Sequence, residues 1–186
     1  MVSPASHARR SLGALIVFCG LSAAVAASPD TTTPNSAVFP GARNHWVTQA
    51  NIYQTICSSP AHDSPGGWTK TVRPPLEYTN SIKHRLLEAA HLPPSAIHDY
   101  ELDHLIPLEL GGAPRDPRNL WLQSWTGPWN AHAKDDLERR LNFMVCRGEI
   151  TLQEAQEAIA GNWIYAYRQF MAGRAEESHR AHSRGW

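Results

Sequence analysis

Between Tyr100 and Arg147 short apolar runs alternate with tight punctuation, a pattern that few folds accommodate. Tyr100 to Ile106 reads as a strand, ended by Pro107, which has no backbone donor for a ladder. Asn119 to Gln123 reads as a second strand. The connection between them carries Pro107, Gly111-Gly112, Pro114 and Pro117, so an ordered but irregular loop is expected. A helix from about Pro128 to Arg147 follows. Pro128 suits its first turn, Leu137, Leu141 and Met144/Val145 form its buried stripe, and Gly148 stops it. The order strand, long loop, strand, helix defines an α+β core.

Flanking helices complete a single small domain over residues 45–172. Ile82, Leu86 and Ala89 share one face of a helix from about Thr79 to Ala90, which Pro93-Pro94 ends. Asn51 to Cys57 is a short strand or a helical turn. Thr151 to Glu154 has the spacing of a capping box for a last helix, with a kink expected at Gly161. No internal repeat is present. The ends read differently. Arg9-Arg10, the apolar run Leu12–Ala26 and Ala24-Val25-Ala26 have the layout of a signal peptide over 1–27. Residues 28–44 are rich in Pro, Ser, Thr and Ala and read as a flexible linker. Residues 173–186 are charged and small and read as a disordered tail.

Processing changes the charge. The chain has 17 Lys plus Arg and 17 Asp plus Glu, and loss of Arg9 and Arg10 leaves 15 bases against 17 acids, about −2. No global basic field draws such a protein onto nucleic acid, so polyanion binding must be local or metal-mediated. The apolar run is too short for a comfortable membrane span, so none is expected after processing. The destination is the periplasm or the exterior. Of three cysteines, Cys19 leaves with the leader. An even pair in an exported chain, Cys57 and Cys146, reads as a disulfide worth roughly 4–5 kcal/mol on the chain-entropy model. No Cys-x-x-Cys pair suggests structural zinc.

The polar residues of the core follow a distinctive order: Asp103-His104, Gly111-Gly112, Asn119-Leu120-Trp121, then Asn130-Ala131-His132-Ala133-Lys134-Asp135. This order resembles the HNH endonuclease family, whose core is the ββα-metal fold. From Cys57 to Tyr167 the chain is also similar to small exported bacterial proteins built around that motif, in which the Thr71–Pro75 and Ala155-Gln156…Trp163 segments recur. The resemblance implies a one-metal phosphodiesterase that cleaves nucleic acid, DNA being the expected form, by in-line attack of water.

The side-chain chemistry suits these roles. His104 could act as general base, since an imidazole is neutral often enough near pH 7 to accept a proton. Asp103 and His132 could hold one divalent ion (Mg²⁺, Mn²⁺, Ni²⁺ or Zn²⁺), with Asn130 as the alternative third motif residue. Asn119 could hold the loop and the histidine by hydrogen bonds. Glu101 shares a strand face with Asp103 and is a candidate outer ligand or orienting carboxylate. Strand neighbours point to opposite faces, so Asp103 and His104 meet at one phosphate only if the strand ends or distorts there. Arg73, Lys83 and Lys134 are candidate phosphate contacts, although most such charges are simply solvated. Trp125 is the candidate base-stacking residue, the other tryptophans reading as core. A competing class is a non-catalytic envelope module that kept the scaffold for binding.

Overall fold

A computed structural model describes residues 32–58 and 67–183, with side chains to residue 172. The leader over 1–27 lies outside the described residues. A 3₁₀ helix at Gln49–Gln54, where a short strand or helical turn was expected, precedes two helices, Trp68–Val72 (α1) and Leu76–Ala89 (α2), separated by Pro74-Pro75. Ile82 and Leu87 are the buried members of α2, while Leu86 is half-buried and Ala89 exposed. The stripe is therefore narrower than the sequence suggests.

Two strands follow, Tyr100–His104 (β1) and Leu120–Ser124 (β2), paired antiparallel with Asp103 opposite Trp121 and His104 opposite Leu120. The next helix, Ala131–Cys146 (α3), starts later than Pro128 would suggest. Asn130 is its cap, the side-chain oxygen accepting from Ala133 N at 3.1 Å. The last helix, Leu152–Ser183 (α4), has the expected capping box: Glu154 Oε2 accepts from Thr151 N at 2.7 Å, and Thr151 Oγ1 from Glu154 N at 3.1 Å. Its kink falls at Asn162 (φ −160°, ψ 94°), one residue beyond Gly161. Its backbone stays helical to Ser183, past the point where sequence reading ends the domain.

Leu137, Leu141 and Val145 of α3 pack with Leu152, Ala155, Ile159 and Trp163 of α4 to form the main core. A smaller cluster joins Leu87 of α2 to Leu122 of β2. The domain also begins earlier than the expected linker boundary. Gly41 N donates to Arg118 O, Ala113 N to Ala42 O and Asn44 N to Gly111 O, so residues 41–44 lie along the inter-strand loop as an added edge. These backbone pairings carry no side-chain signal, which is why a Pro- and Ser-rich segment conceals them.

Cys57 and Cys146 are disulfide-bonded, with Cα atoms 5.6 Å apart. The bond ties the segment before α1 to the end of α3. Among the described residues no helix is long and apolar enough to cross a membrane.

Candidate functional site

The inter-strand loop is built around Asn119, which is fully buried. Its Oδ1 accepts from Ile106 N at 2.9 Å, and its Nδ2 donates to Ile106 O at 2.9 Å and Ala113 O at 3.1 Å. One amide thus closes both ends of the loop. Gly112 is obligatory beside it, because a Cβ there would lie 1.7 Å from Ile106 O and 2.9 Å from Asn119 Nδ2. Gly111 turns the chain at φ +71°.

His104 lies at the end of β1 and is almost fully buried, its Nε2 3.1 Å from Pro114 O. In the neutral ring that nitrogen donates, which leaves Nδ1 as the acceptor. Burial holds the imidazole below its ordinary value, against the raising effect of the Pro114 bond and Asp103. It is therefore neutral near pH 7, the state a general base requires.

A cleft of about 330 Å³ opens onto His104 and is lined also by Arg73, Lys83, Glu101, Asn80 and Trp125. Burial, followed by the charges of Asp103 and Asp135, pushes Glu101 up to about 8. A carboxyl that keeps its proton at neutral pH thus shares a cleft with an imidazole that lacks one. Arg73 is exposed at the rim, and Lys83 is drawn below the ordinary lysine value by partial burial, opposed by Glu101. Trp125 is half-buried, its ring 5.0 Å from that of His132.

The strand stays regular through His104, so Asp103 and His104 diverge. Asp103 turns toward α3, where its Oδ2 accepts from Trp121 Nε1 at 3.0 Å and pairs with Lys134 Nζ at 2.7 Å. Lys134 is not a solvated phosphate contact; its side chain is 1% exposed. Its Nζ also meets Glu138 Oε1 at 2.5 Å and His104 O at 2.9 Å. Burial disfavours the ammonium, but the Asp103 and Glu138 carboxylates outweigh it and keep Lys134 charged. Glu138 is raised by burial and by Asp103.

The residues expected to share a divalent ion are therefore differently engaged. Asp103 is buried and bonded to two donors, His132 is exposed against Trp125, and Asn130 spends its oxygen on the helix cap. Asp103 Oδ2 and the Asn130 side-chain oxygen are thus already committed to donors within the protein. Among the described residues no group of three or more His, Cys, Asp or Glu side chains is arranged to hold a metal.

Glu138 was missed in the sequence, although a signal existed. Lys134, Leu137, Glu138, Leu141 and Val145 follow helical spacing, so two charges lie on the apolar stripe of α3. Charges at such positions are paired or they do not stay. No protein-family model matches the chain, and no curated protein or solved structure matches it either.

Proposed function

We propose that this is an exported nuclease of the HNH type, hydrolysing phosphodiester bonds of nucleic acid with DNA as the expected substrate. The observation that carries the reading is a neutral His104 and a protonated Glu101 facing one cleft rimmed by Arg73 and Lys83. His104 Nδ1 takes a proton from the attacking water, and Glu101 returns one to the leaving oxygen. Arg73 and Lys83 draw the phosphate in and offset its charge. Asn119 acts through position alone, by fixing the loop whose Pro114 carbonyl orients the imidazole. Trp125 offers a face for an unpaired base. Export is supported by the disulfide together with the leader-like sequence.

The experiment is cleavage of plasmid and of single-stranded DNA by the oxidised protein, with and without a chelator. His104→Ala should lose about 10²- to 10⁴-fold of the cleavage rate while keeping the fold. A His104→Ala protein that cleaves as the parent does sinks the mechanism. The chelator arm tests the divalent-ion requirement that the resemblance implies. A second reading, a binding module without catalysis, is favoured by the neutralised Asp103 carboxylate. It predicts DNA retention that survives His104→Ala and no cleavage in any arm.

A further inference from the structure

We infer that the cation held by Asp103 is the ammonium of Lys134 and not a divalent ion, so that Asp103 is an ion-pair partner and not a metal ligand. The inference rests on the HNH-type reading, because only that reading calls for an ion beside Asp103. Nζ is surrounded by Asp103 Oδ2 at 2.7 Å, Glu138 Oε1 at 2.5 Å and His104 O at 2.9 Å. One oxygen donor comes from a strand carboxylate, one from the strand backbone and one from the helix that follows. Such hard oxygens are what a divalent cation takes from a protein. Here the chain supplies the cation itself.

The ammonium has three hydrogens and meets three oxygens, so its donors are fully used. Asp103 Oδ2 accepts a second bond, from Trp121 Nε1 at 3.0 Å. All three ionic side chains are secluded, at 1% exposure for Lys134, 11% for Asp103 and 12% for Glu138. An incoming divalent ion would have to expel a buried ammonium from the two carboxylates paired with it, leaving an unpaired charge inside the domain. The i,i+4 spacing of Lys134 and Glu138 on α3 sets both against the end of β1. Removing the lysine head should therefore expose an oxygen-donor set fit for a metal.

The test measures Mn²⁺ bound by the oxidised full chain, by calorimetry and by the electron paramagnetic resonance signal of the free ion. Asp103→Asn, which keeps an oxygen for Trp121, should leave Mn²⁺ stoichiometry as it is in the parent. Lys134→Ser should gain one equivalent of Mn²⁺, and Lys134→Ser with Asp103→Asn should lose it again. An equivalent of Mn²⁺ bound by the parent and abolished by Asp103→Asn overturns the inference. So does a folded Lys134→Ser protein that gains none. If Lys134→Ser does not fold, the parent and Asp103→Asn comparison decides alone. Cleavage is not measured, so failure of the nuclease reading leaves the outcome interpretable.

Discussion

Asn119 makes three hydrogen bonds from a fully buried amide, so its replacement is a structural event before it is a catalytic one. Asn119→Ala leaves Ile106 N, Ile106 O and Ala113 O without that partner. Each such loss costs about 1–3 kcal/mol, so a total of at least about 3 kcal/mol is expected in a urea melt followed by circular dichroism. A second residue-scale prediction concerns Glu101. Its folded value of about 8 lies above the ordinary 4.5, so the folded state holds a proton that the unfolded chain has released. Stability from this group is complete below about pH 4.5 and is lost as pH rises through about 8. Glu101→Gln should flatten that slope and stabilise the protein at pH 8 by on the order of 1–3 kcal/mol. Melts at pH 5 and pH 8 decide it; an unchanged slope would remove Glu101 as the cause. Asp135, also raised by burial and by Asp103, adds a contribution of the same sign. His104 and Asn119 were legible as candidates because their order along the chain is distinctive. The cleft role of Glu101 was not, because a strand residue's neighbours in space come from Arg73 and Lys83 on other elements.

At the scale of elements, the helix after the strands carries the largest single dependence. Lys134 links α3 to β1 through Asp103 and the His104 carbonyl. Lys134→Met should fill the volume yet leave two facing carboxylates in a dry pocket. Breaking a buried pair in this way typically costs 3–5 kcal/mol. Chemical denaturation at pH 7 should show that loss. Element existence was readable from period and punctuation: both strands, α2, α3 and the capping box of α4 lie close to their expected places. Starts and stops were less so. Asn130 looked like a ligand because side-chain chemistry alone does not separate a cap from a metal donor. The loop was predictable as irregular, but its closure by one amide depends on Gly112 admitting a backbone approach that no spacing reveals.

For the whole molecule, the Cys57–Cys146 bond is the one covalent link between distant segments. It closes a loop with a sequence separation of 89, for which the chain-entropy model gives roughly 4–5 kcal/mol. Reduction without other change should lower the melting temperature markedly, as scanning calorimetry with and without a phosphine reductant would show. An unshifted transition would mean that the reduced unfolded chain is already restrained. Every residue assigned a role in the cleft or the buried ion cluster, from Arg73 to Glu138, lies between those two cysteines. A protease that cuts the backbone once anywhere in this interval therefore cannot release a fragment. The severed halves stay tethered, and such material should run as one band on a gel without reductant and as two with it.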